Sequence, residues 1–351
     1  GSLLNFENFG DTRAFDWRAY GRFTQRFINN QEGSSSKVKS AFYSLMVDYS
    51  KSYSSAFDED HEFNVFNYGH VGAFDFDWVP AYGESDYSGA IPNPNGGNTA
   101  HIDYQRLFTG YTPGDTNPVL ANYNNSVADA VTENDYFAIN GDFNGTVRNI
   151  WNFHDNVGAV YNFYRKRNRE FLTLNVNSNF DIVPDGKSDK GRHSIQFGIR
   201  YEQRFERGFD ISPRALWTTA RQQSNRHLTS IDTTMVPLRT VLDTTGMETG
   251  VPGAELDIFS PINNQDELAG NYFYDRARMI DGTAVNEFFN VDGIDPSLLS
   301  LDLFSPLELT DQQLIGYSGY DYLGNRLDGD VTFNNFFDIE ADGSRNFNVA
   351  P

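Results

Sequence analysis

The side chains that could do covalent or metal chemistry are few and scattered. The six histidines (His61, His70, His101, His154, His193 and His227) show no ligand spacing, and a protein metal site needs its donors at defined intervals. There is no cysteine, so disulfides, thiolate metal sites and cysteine nucleophiles are excluded. Gly316-Tyr-Ser-Gly319 falls one residue short of a nucleophile elbow. No phosphate-binding glycine loop and no H-E-x-x-H occur. Carboxylate pairs mean little in a chain with 48 Asp and Glu, so they do not point to glycosidase chemistry. Neither an enzyme nor a resident cofactor is expected. Two acidic runs, Asp58-Glu-Asp-His-Glu62 and Asp328-Gly-Asp330, supply hard oxygen ligands that suit Ca²⁺, without the spacing of an EF-hand.

Binding is the better expectation. Trp151, Phe153, Tyr161, Phe163 and Tyr164 cluster beside Arg165, Lys166, Arg167 and Arg169, and Tyr317, Tyr320 and Tyr322 form a second cluster. Tyr and Trp give rigid, amphipathic contact area at low entropy cost. Candidate ligand contacts are therefore Trp151, Tyr161, Tyr164, Arg165, Tyr317, Tyr320 and Tyr322. The same rings could instead form the small core that loops of this size need in order to fold. The basic run could also lie at a membrane rim against anionic headgroups.

Long strands must position these groups. In 171–183, Leu172, Leu174, Val176, Phe180 and Ile182 alternate with Thr173, Asn175, Asn177, Asn179 and Asp181. A turn-forming run follows at 184–192, and then Ile195, Phe197, Ile199 and Tyr201 alternate with Gln196, Gly198, Arg200, Glu202 and Arg204. Strict period 2 marks a strand with one apolar and one polar face. Segments 13–29, 41–53 and 66–78 repeat the pattern, the first placing Arg18, Arg22 and Arg26 opposite Phe15, Trp17, Phe23 and Phe27. These runs exceed the usual globular strand of about 5–6 residues. A tilted membrane-crossing strand needs about 9–11, and aromatics gather at its ends. The expectation is all-β: long antiparallel strands forming part of a transmembrane barrel. Arg18, Arg22, Arg26, Arg200, Glu202 and Arg204 would face its lumen. The alternative is a soluble sandwich, in which Leu172, Val176, Ile195 and Phe197 are buried between two sheets.

Composition agrees. The net charge of −21 argues against nucleic acid as a partner. No run approaches the ~18 apolar residues of a transmembrane helix. Residues 79–170 and 205–351 lack strand periodicity and would be long external loops, the second carrying 23 acidic and 9 basic residues. Ser212-Pro213, Asp295-Pro296 and Ser305-Pro306-Leu-Glu308 are helix starts, the last a capping box. The organisation expected is three barrel strands in 1–78, a loop over 79–170, a hairpin over 171–204 and an acidic, partly helical loop over 205–351. Parity then puts the linker near 30–38 outside, with the segment 54–65 and the turn 184–192 on the periplasmic side.

Ala41–Ser50 (AFYSLMVDYS), Asn67–Phe76 (NYGHVGAFDF), Ile195–Pro213 (IQFGIRYEQRFERGFDISP), Asp295–Leu309 (DPSLLSLDLFSPLEL) and Tyr317–Phe337 resemble Oar-like TonB-dependent outer-membrane receptors of the SusC superfamily. The resemblance is spread over nearly the whole chain and specifies no ligand. It implies a 22-stranded barrel with an N-terminal plug in a bacterial outer membrane. A TonB-type complex would drive uptake of a large substrate such as a peptide, glycan or metal chelate, and a surface lipoprotein lid is a partner in the related glycan-importing branch. Only five strands are legible here, with no plug and no TonB box, and the smallest bacterial barrels have about eight strands. The start at Gly1-Ser2 reads as a processed or cut end. The chain is thus expected to be a central portion of such a receptor. An adhesion or structural barrel without transport is the runner-up.

Overall fold

The computed structural model describes residues 10–28, 36–127, 161–184, 191–264, 272–327, 338–339 and 345–346. Of these, 51% are in strands and 17% in helices, which settles an all-β, mainly antiparallel class. No helix among them is long and apolar enough to cross a membrane.

Two long hairpins make the main sheet. β1 (Gly10–Ile28) pairs with β2 (Val38–Asp58) over the whole of β1. β3 (Gly72–Glu84), β4 (Ile91–Pro92) and β5 (Asn98–Pro113) form a separate three-stranded sheet in the order β3-β5-β4. The helix α1 (Pro118–Val127) follows. β6 (Tyr164–Ile182) and β7 (His193–Ile211) form the second long hairpin. β6 docks directly on β2. The helix α2 (Pro213–Gln223) precedes two small nested ribbons, and α3 (Phe273–Asp281) and α4 (Pro306–Asp311) follow them. One ribbon pairs β8 (Leu228–Ile231) with β11 (Pro261–Asn263), and the other pairs β9 (Arg239–Asp243) with β10 (Ala254–Ile258). β12 (Ile315–Ser318) returns to pair with the last residues of β7, giving the order β1-β2-β6-β7-β12. The sheet is open, with β1 at one edge.

Two corrections follow. The alternating segment 66–78 is not a strand of the main sheet. It begins with buried Val65, Phe66 and Tyr68, and only from Gly72 does it become β3, whose partner is β5. Period 2 identifies a strand but not the sheet it joins. Pro80 gave the hint, because proline is tolerated on edge strands and β3 is an edge. Losing that strand reverses the parity. Ile28 pairs with Ser40, Val38 with Ile182, and Ile182 with His193. The linker near 30–38 therefore shares the end of the sheet that holds the turn 184–192. The segment 54–65 lies at the opposite end with the long insertions. The hairpin expected over 171–204 extends to 164–211.

The register puts like residues on one face. Phe23 lies opposite Leu45, Leu45 opposite Val176, and Val176 opposite Ile199. This apolar face is bare. Ile199 is 66% exposed, and Ile195 and Phe197 are about half exposed. No described sheet packs on it, so the two-sheet burial required by the sandwich is not found. Along β2 the apolar band runs from Ala41 to Tyr49, about 26 Å of strand at 3.3 Å per residue. It is closed at the insertion end by ions. Glu170 receives Lys51 at 3.5 Å, Arg207 at 3.3 Å and Arg326 at 3.7 Å. The ring of Trp17 lies 5.1 Å from that of Tyr49 just inside this border. Phe27 lies 6.0 Å from Tyr43, and Phe180 5.9 Å from Phe197, toward the other border.

The insertions fold into one cap on the end of the sheet. Its core joins Phe57, Tyr164, Phe209 and Ile211 from the long strands to Phe66, Leu216, Trp217, Phe273 and Phe304. Trp217 is fully buried, donates its Nε1–H to the Phe66 carbonyl at 2.8 Å, and meets the Phe66 ring edge-on. α4 starts with the capping box expected at Ser305: its hydroxyl accepts from the Glu308 N–H, and the Glu308 carboxylate accepts from the Ser305 N–H at 2.8 Å. Ser305→Ala is expected to lower stability by about 1 kcal/mol, measured as a shift in the denaturant midpoint. Asp295-Pro296 yields only a single turn of 3₁₀ helix, with the Asp295 carboxylate accepting from the Ser297 N–H at 2.9 Å.

Candidate functional site

The charged residues expected in a lumen do share one face. Arg18, Arg22 and Arg26 pair with Ser50, Met46 and Phe42, and Arg200, Glu202 and Arg204 pair with Asn175, Thr173 and Phe171. All of these positions lie opposite the apolar face. Arg18 forms an ion pair with Asp48, Arg200 with Glu202 at 2.7 Å, and Arg204 with Glu206. Arg22 donates to the Ser44 hydroxyl at 3.2 Å. One face of the sheet is thus a ladder of compensated charge, and the other is a greasy band.

The aromatic clusters also converge, but into the core. Phe209 lies between Tyr164 and Tyr320, at 6.4 and 6.3 Å. Tyr164 and Tyr320 are each 5% exposed, so they serve the cap core rather than a ligand surface. Tyr161, Tyr317 and Tyr322 pack on its border. Arg165 donates to Asp210 at 2.6 Å and covers the Phe163 ring. Tyr317 alone of these rings opens onto a hollow of about 370 Å³ at the junction of sheet and cap, lined also by Arg167, Arg169, Glu206 and Asp210. Arg167 reaches Asp210 at 2.7 Å and Arg169 reaches Glu206 at 3.2 Å, so its charges are internally paired. Trp151 lies outside the described residues.

The acidic run at Asp58 is used by a turn. The Asp58 carboxylate accepts from the Asp60 and His61 N–H groups, and Glu62 pairs with Arg13 at 2.9 Å. Asp328–Asp330 lies outside the described residues. Among the described residues no group of three or more His, Asp or Glu is placed to hold a metal.

A larger hollow than the one at Tyr317 lies between the β3-β5 sheet and α2. It is an open cleft of about 630 Å³. Trp78 and Phe288 stack at 5.4 Å and 9° on its wall, with Tyr104 5.1 Å from Phe288. Arg106 and Arg226 stand on its sides and Arg221 at its floor. Arg106 lies over Phe76 at 4.2 Å, and Arg226 over Tyr272 at 4.6 Å. Arg221 is held by a buried bidentate pair with Asp292, at 2.9 and 2.6 Å. None of these residues is a candidate ligand contact in the sequence, where Trp78 reads only as an aromatic at the end of the strand 66–78. They come from two insertions far apart in the chain, one between β2 and β6 and one between β7 and β12, and no local spacing announces a cleft that only tertiary packing assembles.

Burial also tunes the cap. The His70 ring lies 4.9 Å from that of Trp217, tilted by 31°, and burial pushes its pKa from 6.5 down to about 4. His101 and His227 are lowered for the same reason. A folded state that stays neutral while the unfolded chain takes up protons loses stability as pH falls through this window. From His70 alone the loss is about 2 kcal/mol at pH 5 relative to pH 7. Urea melts at the two pH values should show it, and His70→Phe should flatten the difference.

Compared with protein-family models the chain matches none, and no curated protein matches it. The functional reading therefore rests on its own residues and geometry.

Proposed function

We propose that the chain is a portion of a TonB-dependent-type outer-membrane receptor whose external cap binds a large substrate for energised uptake. The observation that carries this reading is the bare apolar band. Four strands of 19–21 residues share it, and along β2 it covers about 26 Å of strand, or roughly 20 Å of height at the ~40° tilt of barrel strands, against the ~25 Å apolar belt of outer-membrane barrels. Aromatics border it and an ion cluster ends it. The opposite face carries the arginine ladder that a water-filled lumen would solvate. Connections are short at one end and form a folded cap at the other, as in outer-membrane barrels with short periplasmic turns and long external loops. On this reading the linker near 30–38 and the turn 184–192 face the periplasm. Outer-membrane lipid is the partner of the band. Coupling to a TonB-type complex, and any lipoprotein lid, belong to the longer receptor.

The test is made on the protein isolated from its source. Its membranes are fractionated, and the band is run with and without boiling in detergent. A product much heavier than 39.7 kDa, found in the outer-membrane fraction and shifting on boiling, is the expected result. A soluble 39.7 kDa product would remove the barrel. A barrel whose deletion leaves uptake intact but abolishes attachment would make it an adhesin.

A further inference from the structure

We propose that the cleft between β3-β5 and α2 is a carbohydrate-binding site for chains of carboxylated sugars. This deepens the receptor reading by naming the ligand class of its cap, and it rests on that reading for its place in uptake.

The first observation is the floor. The Arg221 side chain is 2% exposed and its partner Asp292 is 0% exposed. Its Nε and one terminal nitrogen are taken by Asp292. The other, Nη1, has no acceptor among the described residues. A buried guanidinium N–H without an acceptor is costly, and this one belongs to a residue that lines the cleft. The nitrogen is itself buried, so a ligand acceptor meets this N–H only where the wall between the cleft and the Arg221–Asp292 pair opens.

The second is charge. Three arginines, Arg106, Arg221 and Arg226, meet in one hollow of a chain whose net charge is −21. Asp103 is the one carboxylate among the described residues that line the cleft, and the charge of Arg221 is already paired to Asp292. A guanidinium fork matches a carboxylate in two parallel hydrogen bonds. The acidic surroundings disfavour a densely charged polyanion by field sign. One carboxylate per sugar, spaced along a chain, fits both conditions.

The third is shape and donor chemistry. A pyranose has an apolar C–H face and a rim of hydroxyls. The Trp78–Phe288–Tyr104 wall supplies aromatic surface for the face. Gln222, Thr229 and Ser230 border the same cleft and offer both donors and acceptors for the rim. Ser230 holds φ at 56° where β8 and β11 slip register. A non-glycine residue in the left-handed region is strained, and such outliers gather at binding sites.

The experiment exposes the full chain in detergent to an array of neutral, carboxylated and sulfated oligosaccharides, with an acidic aromatic peptide as comparator. Retention of uronate oligosaccharides above neutral ones is expected. Trp78→Ala and Arg226→Gln should each weaken retention about tenfold, with the far-ultraviolet circular dichroism unchanged. Arg226 is exposed, so its variant keeps the test valid where Trp78→Ala fails to fold. The proposal is overturned if no uronate is retained, if neutral sugars or the peptide are held as well or better, or if neither variant weakens binding. The array result and the membrane fractionation fail independently. A membrane-embedded chain that holds no sugar removes this site and leaves the receptor. A soluble chain that holds uronates removes the receptor and leaves the site.

Discussion

Asp292→Ala is expected to destabilise the cap by about 3–5 kcal/mol, a large share of a typical domain's margin. The pair it breaks is sealed from water: Asp292 is fully buried and Arg221 nearly so. Arg221 cannot escape by losing its proton, because a guanidinium stays charged at any accessible pH. It lies between Phe74 at 5.0 Å and Trp217 at 5.5 Å, so it cannot swing out without opening the core. Removing the carboxylate therefore leaves an uncompensated buried cation. Replacing both partners should cost much less than the two single losses added together, since no orphan charge remains. Urea unfolding of Asp292→Ala, Arg221→Met and the double variant measures this directly. An Asp292→Ala loss below about 1 kcal/mol would mean that water reaches the pair, as at exposed ion pairs.

This pair also marks where the sequence stops speaking. The long strands were legible because their faces differ at every second residue from Phe15 to Phe27 and from Leu172 to Tyr201. Side-chain alternation is local and survives any tertiary context. The capping box at Ser305 was legible for the same reason, as its donors and acceptors lie three residues apart. The helix α3 was not. Its N-cap is Tyr272, which makes no side-chain cap. Instead Glu308, 35 residues on, receives the Phe273 N–H at 3.1 Å. A start signal supplied by another element cannot be read from the segment it starts.

The site divides in the same way. The arginine ladder on the polar face follows from periodicity alone. The aromatic clusters at Tyr164 and Tyr320 were found by composition, but composition does not separate a ring that binds from one that packs. Phe209 decides between them by lying against both. The cleft needed Trp78 and Arg106 from one insertion and Arg226 and Phe288 from another. Its two best local clues, Trp78 in β3 and Arg221 in α2, sit in patterns that read as a membrane strand and an ordinary amphipathic helix.

Ile199→Arg separates a lipid-facing band from a water-facing one more sharply than any deletion. Ile199 is 66% exposed at the middle of the band, beside Val176. In water, a change at so open a site would move stability by no more than about 0.5 kcal/mol. Against hydrocarbon, an arginine near the bilayer midplane costs about 2–4 kcal/mol, falling to about 0–1 near the interfaces. Phe205, also exposed on the same face of β7, lies opposite Glu170 at the ionic border. Phe205→Arg should therefore cost much less than Ile199→Arg if the face meets lipid. The two should cost about the same, and little, if it meets water. Folding of the parent protein into lipid vesicles, titrated with denaturant, reads both values on one scale. A depth-dependent difference requires a low-dielectric slab centred on the Leu45–Val176–Ile199 row. Equal small effects would leave the band exposed to solvent, which a surface so rich in Phe, Ile and Val could tolerate only by finding another apolar partner.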